Sequence, residues 1–154
     1  MTIKIQTATI NDILTIDAQI PEFDGRNTPD KVEARLHGKN ALILSASEGG
    51  QLVGFKVGYE LSKSTFYSWI GGVIPTLRQQ GIADQLRIYQ ENWAYQQGYR
   101  FIQVKTMNRY PAMLQFLISR GYQVVGYENS DTLTEGKIVF QKALSEAHNE
   151  LNQN

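Results

Sequence analysis

The chain reads as an α/β protein built on a mixed sheet of six to seven strands, with helices on both faces. Three observations predict this. Apolar runs of strand length recur along the 154 residues, some strictly alternating and some continuous. Between them lie segments whose apolar residues fall three and four apart, the period of a helix with one buried side. Finally, Val73-Ile74-Pro75-Thr76-Leu77-Arg78-Gln79-Gln80-Gly81-Ile82-Ala83-Asp84 joins an apolar strand to an amphipathic helix through a short glycine-containing turn.

Taken in order, Ile3-Lys4-Ile5-Gln6 alternates apolar and polar residues and makes a first strand. Asn11 or Asp12 can cap a helix that carries Ile13, Leu14 and Ile16 to about Ile20, where Pro21-Glu22-Phe23-Asp24-Gly25 breaks it. Thr28-Pro29-Asp30 is a helix start, a capping hydroxyl followed by proline at the first helical position, and Gly38 ends that short helix. Residues 41–47 and 52–60 are strands around a Glu48-Gly49-Gly50-Gln51 hairpin turn. A third run, 66–74, leads into the glycine-containing turn. From Gly81 onward Ile82, Leu86, Tyr89 and Trp93 place one stripe on a helix that Gly98 ends. Residues 101–104 then form a strand reached through a helical crossover, so it should lie parallel to 66–74. Pro111 opens another helix, with Met113, Leu114, Leu117 and Ile118 inward and Gly121 at its end. Segments 122–127 and 137–142 close the sheet as an antiparallel pair. The order is β-α-α-β-β-β-α-β-α-β-β, read as one domain over residues 1–144 with a polar tail at 145–154.

Composition narrows the function. Hydrophobic residues make up 42% and charged residues 19%, an ordinary globular balance. Lys+Arg and Asp+Glu are 15 each, so no global field draws nucleic acid or an anionic membrane, and neither is expected as a partner. The absence of cysteine excludes a disulfide framework, thiolate metal sites and a cysteine nucleophile. The alternating first strand is not an apolar leader and no stretch reaches membrane-spanning length, so the expected location is cytoplasmic. His37 and His148 lack paired ligand spacing, and no metal is expected.

The strand-turn-helix at 73–84 has the geometry of an anion site. The first N–H groups of a helix have no intrahelical partners and, with the helix dipole, cradle phosphate. Arg78 can anchor the turn or meet a phosphate, and Gly81 lets a ligand approach the backbone. Arg78-x-x-Gly81-x-Ala83 after an apolar strand, Asn108 beyond the 101–106 strand, and Arg120-Gly121-Tyr122 at a helix end together resemble the GNAT superfamily of N-acyltransferases, over nearly the whole chain from Ile3 to about Lys142.

The resemblance implies the GNAT fold and acetyl-CoA as the donor substrate. It implies that backbone groups of Val73 and Ile74 pair with the pantetheine arm as an added strand would. It implies a bulge in that strand, for which Gly71-Gly72 is permissive, and an N–H there polarising the thioester carbonyl. Gln79, Gln80, Gly81, Ile82, Ala83 and Asp84 would present N–H groups to the pyrophosphate, and Asn108 would face the pantetheine or thiol. Relatives are commonly dimers, which makes a homodimer one expectation.

Each piece has a plainer reading. Gly81 alone is a turn residue and Arg78 a solvated charge. Asn108 can simply cap the helix before Pro111. Gly71-Gly72 can mark close backbone packing, and Phe66, Tyr67 and Trp69 read as core or pocket wall. The combination, not any single residue, carries the resemblance.

Acyl transfer from thioester to amine needs a free amine, a polarised carbonyl and a leaving thiolate, and no covalent intermediate. Without cysteine or a G-x-S-x-G elbow, direct attack in a ternary complex is the expected route. Many family members carry a tyrosine as acid for the thiolate where Leu117 stands here, leaving Tyr110 as a substitute. A thiol of pKa about 8.5 leaves tolerably without one. Strand 66–74 lacks the carboxylate base of some relatives, so the candidates are Glu60, Glu22 and Asp24. Glu22, Phe23 and Asp24 can instead attract a cationic amine. The expected function is an N-acetyltransferase of a primary amine, in a small molecule or a peptide. The competing readings are a non-catalytic acyl-CoA-binding sensor or interaction module on the same fold, and a nucleic-acid-binding module disfavoured by the charge balance.

Overall fold

Residues 1–146 are described by the computed structural model. The polar tail expected at 145–154 lies outside the described residues from 147 onward, and so does His148. Strand β1 (Ile3–Thr7) pairs antiparallel with β2 (Ala41–Glu48), and β2 with β3 (Gln51–Glu60). Gly49 and Gly50, at φ 55° and 83°, make the two-residue turn between β2 and β3, whose twist needs positive φ at both positions. Strand β4 (Thr65–Val73) follows, then helix α3 (Ile82–Gln96) and strand β5 (Phe101–Met107), parallel to β4 as the crossover requires. Helix α4 (Pro111–Ser119) leads to β6 (Gln123–Glu128) and β7 (Lys137–Ala143). The sheet has seven strands in the order β1-β2-β3-β4-β5-β7-β6. The mixed α/β architecture and element order are those expected, with three short 3-10 turns added at Pro21–Phe23, Pro75–Leu77 and Leu133–Glu135.

Helix α1 (Ile10–Asp17) starts at Thr9, not at Asn11 or Asp12. The Thr9 hydroxyl accepts from the Asp12 N–H at 3.1 Å, and the Asp12 carboxylate accepts from the Thr9 N–H at 3.0 Å. This reciprocal capping box satisfies two donors at once, which a single cap inside the helix does not. Helix α2 (Pro29–Leu36) starts as expected, with the Thr28 hydroxyl accepting from the Lys31 N–H at 3.3 Å.

Successive β3 residues point to opposite faces of the sheet. On one face Gly54 meets Ile82 and Leu86 of α3, and on the other Gly72, paired with Phe55, meets Ile20 and Phe23. The core lies in these two layers, around Phe55, Phe66, Phe140, Ile13, Ile16 and Leu44. Three residues expected inward are exposed. Tyr89 is 39% exposed, because the buried face of α3 is completed by Arg87, Gln90 and Glu91. On α4, Leu117 is buried, whereas Met113 and Ile118 stand 43% and 59% exposed.

Candidate active site

The site begins where two strands part. Pairing of β4 with β5 runs from Thr65↔Phe101 to Ser68↔Val104 and stops there. Val57 faces Ile70 while Gly58 faces Ser68, so Trp69 is an extra residue in β4, a bulge at the parting point. Gly71 and Gly72 pair regularly with Lys56 and Phe55, so the bulge is not at the glycine pair. Close packing explains Gly72: a Cβ there would stand 2.6 Å from Ile20 Cδ1 and 2.9 Å from Phe23 Cε2. Beyond the bulge β4 pairs with β3 alone and β5 with β7 alone, which opens a gap between parallel strands.

Alternate residues of a strand turn their N–H and C=O groups to the same edge. Ile74 donates to Val53 O at 2.9 Å and accepts from Leu77 N–H at 3.0 Å, so both its backbone groups are engaged within the chain. Val73 and Gly71 are therefore the residues turned toward the gap, which narrows the strand-edge expectation from Val73 and Ile74 to Val73.

The gap runs onto the turn before α3. Arg78 anchors that turn, its Nε donating to Val73 O at 3.2 Å and its outer nitrogen pairing with Glu22 at 2.6 Å. Gln79 (φ 64°) and Gly81 (φ 81°) are left-handed, and Gly81 is the N-cap of α3 with no side-chain cap. The first intrahelical bond is Gln85 N–H to Gly81 O at 3.1 Å. The N–H groups of Ile82, Ala83 and Asp84 thus point out of the helix without intrahelical partners. An acidic side chain in the first turn would compete with an anion, but Asp84 is held by Arg120 at 2.6 Å and Arg87 at 2.9 Å. Its burial works to raise the pKa, and the hydrogen bonds from Arg120 and Arg87 outweigh it and hold the carboxyl below its ordinary value.

On the α2 side the wall is aromatic. Tyr59 meets Tyr67 and Trp69 edge to face, with ring centres 5.4 and 6.1 Å apart. Burial, then the neighbouring Tyr59, push the Tyr67 hydroxyl up to about 12, so it stays protonated.

The other candidates are dispersed. Glu22 is exposed beside the turn through its bond to Arg78, and Asp24 is exposed at φ 50°. Glu60 sits at the end of β3 opposite Phe66, accepting from the Tyr99 hydroxyl at 2.8 Å, at the other end of β4 from the turn. Tyr110 precedes α4, half-buried, with the Arg109 guanidinium 5.1 Å from its ring centre. Asn108 donates from Nδ2 to Leu133 O at 2.8 Å and does not cap α4, whose N-cap is Tyr110. Leu117, at the position where the resemblance leads to a tyrosine being expected, is 4% exposed in the core. His37 follows α2 as its C-cap.

One set of residues went unread in the sequence: the ions behind the turn. Arg87 bonds Glu91 at 2.9 Å, and Glu91 also takes Lys142 at 2.8 Å and the Tyr122 hydroxyl at 2.8 Å. With Asp84 and Arg120 they tie the start of α3 to α4 and β7. The signal was present as the spacing Asp84, Arg87, Glu91, three and four residues apart on one helix.

Comparisons with known proteins give the family and the fold. The sequence model described as the acetyltransferase (GNAT) family matches residues 9–122, and the chain belongs to that family. It is an acetyltransferase by that membership. No curated protein matches it in sequence. Among solved structures it is similar to the ribosomal-protein-S18-alanine N-acetyltransferase of Escherichia coli, at 13% identity and TM-score 0.79 over 97% of this chain and 98% of that one. It is similar to a GNAT family acetyltransferase of Elizabethkingia anophelis with acetyl-CoA bound, at 16% and 0.73 over 92% and 98%. It also resembles the PaiA N-acetyltransferase of Thermoplasma acidophilum in complex with coenzyme A, at 14% and 0.70 over 93% and 99%. These likenesses establish the fold. No described helix is long and apolar enough to cross a membrane.

Proposed function

We propose that this chain transfers the acetyl group of acetyl-CoA to a primary amine by direct attack in a ternary complex. The observation that carries the reading is the gap between β4 and β5 running onto the start of α3, a strand edge that β5 leaves unpaired, with the Val73 carbonyl held by Arg78, continuous with a set of outward N–H groups. The edge at Val73 suits the amide groups of the pantetheine arm, and the N–H groups of residues 79–84 suit the pyrophosphate. Arg78 holds the turn in register, and Asn108 faces the arm from the β5 side. The amine nitrogen attacks the thioester carbonyl, the C–S bond breaks, the sulfur leaves as thiolate, and the amine proton passes to a base or water. Glu22 and Glu60 are the candidate bases and Tyr110 the candidate acid.

Two measurements test this. Calorimetry with acetyl-CoA should show one site, and thiol release across a panel of amines should show turnover. No binding would overturn the reading. Binding without transfer to any amine would replace it with the acyl-CoA-binding module, a reading that the buried Leu117 favours. If Glu60 or Glu22 is the base, Glu60→Gln or Glu22→Gln should lower kcat at least tenfold and remove the acidic limb of the pH profile. An unaltered profile rejects that residue.

A further inference from the structure

The α2 side of the opening carries a charge pattern that donor binding does not explain. Arg35, on the last turn of α2, lays its guanidinium 4.8 Å from the centre of the Trp69 ring and donates to the Tyr59 hydroxyl at 3.2 Å. Lys39 holds its ammonium 4.5 Å from the Tyr59 ring centre and donates to Arg35 O at 2.9 Å. Both side chains belong to exposed residues, and among the described residues no carboxylate pairs with either. Lys105 approaches the Tyr67 ring at 5.7 Å from β5, but Glu128 pairs with it at 2.7 Å. Of Glu22, Phe23 and Asp24, expected together to draw a cationic amine, Glu22 is matched by Arg78 and Asp24 is exposed on the loop between α1 and α2. The wall beside the bulge therefore carries a surplus of positive charge over an aromatic floor.

A bare ammonium would be repelled here. An amine that also bears a negative group would not. Resting on the acetyl-transfer reading, we infer that the acceptor is a primary amine carrying a carboxylate, of the amino-acid type, and that Arg35 takes the carboxylate. Its guanidinium lies over the Trp69 ring and is tethered by its bond to the Tyr59 hydroxyl, leaving the rest of the fork to bind a carboxylate through two parallel N–H bonds. The acceptor's carbon skeleton then lies on Tyr67 and Trp69, and its nitrogen reaches the bulge where β4 leaves β5. The same cations lower the pKa of a nearby amine, because like charge disfavours the ammonium form. They thus raise the fraction of free nucleophile without a dedicated carboxylate base.

The test uses matched acceptors: an aromatic or aliphatic α-amino acid, its amide, and the amine lacking the carboxylate. The amino acid should show kcat/KM at least tenfold above both partners. Arg35→Gln should raise KM for the amino acid about tenfold with kcat within threefold, erase the preference, and leave KM for acetyl-CoA unchanged. Arg35→Lys should recover part of the loss, since charge returns without the fork. The inference is overturned if the amide or the carboxylate-free amine reacts as well as the amino acid, or if Arg35→Gln weakens all acceptors alike. Those results leave acetyl transfer standing. Failure of acetyl-CoA to bind in calorimetry overturns both readings together.

Discussion

At Gly81 the backbone alone decides the residue. An added Cβ would meet nothing within 4 Å, yet φ is 81°, so Gly81→Ala should cost about 1 kcal/mol through the left-handed backbone. Urea unfolding measures that cost, and calorimetry should show weaker acetyl-CoA binding as the turn shifts; unchanged values in both would contradict the geometry. Gln79, at φ 64°, has the same need without being a glycine, so the sequence showed a turn residue at Gly81 and none at Gln79. Gln90 presents the opposite case. It is fully buried, and among the described residues neither its amide nitrogen nor its oxygen has a hydrogen-bond partner. Unpaired buried groups forfeit their hydration, so Gln90→Met, similar in length and apolar, should stabilise the fold by about 1 kcal/mol. A lower urea midpoint in that variant would show that the amide is satisfied after all. Arg35 was illegible for a different reason: helical spacing shows which residues face outward, but not which aromatic ring lies across from them.

At the scale of elements, α3 couples the turn before it to the sheet through charge. The Asp84 carboxyl is held below its ordinary value of 3.8 when folded, so its contribution to stability is complete above that value and is lost as pH falls through the lowered one. Asp84→Asn should lower the urea midpoint at pH 7, a loss of about 1–3 kcal/mol for a charged hydrogen bond, and flatten the acid limb of the stability curve. An acid limb identical to that of the unmodified protein would place the titration elsewhere. Lys56 acts in the other direction. Burial first, against the attraction of Glu91 and with the repulsion of Arg87, lowers its ammonium from 10.5 to about 8. The charged form is thus disfavoured by folding. Its penalty is full below about 8 and fades as pH rises toward 10.5. Lys56→Met should therefore raise Tm most at pH 7, with the gain shrinking by pH 10; a gain independent of pH would contradict the assignment. The apolar stripe of α3 was legible at Ile82 and Leu86 and misled at Tyr89, because paired ions replaced hydrocarbon on the buried face. The start of α1 was written in Thr9-x-x-Asp12, a capping box that the nearer Asn11 and Asp12 obscured.

For the whole molecule, the sequence carried the order of elements, because apolar period and turn residues are local properties. It carried the parallel β4–β5 pair, because a helical crossover leaves little choice. The place of β7 between β5 and β6 depends on pairing across the chain, which no local pattern encodes. The same holds for the bulge: Gly71-Gly72 looked permissive, whereas the extra residue is Trp69, set by the register between β3 and β4. The proposed acetyl transfer requires the β4–β5 gap and the start of α3 to act as one donor site. Hydrogen exchange of the backbone amides, with and without saturating acetyl-CoA, tests it most directly. Protection should rise at Gly71 and Val73 and across residues 79–84, while β1 and β2 keep their rates. Binding that leaves those amides unprotected, or protects a different face of the sheet, would contradict the claim.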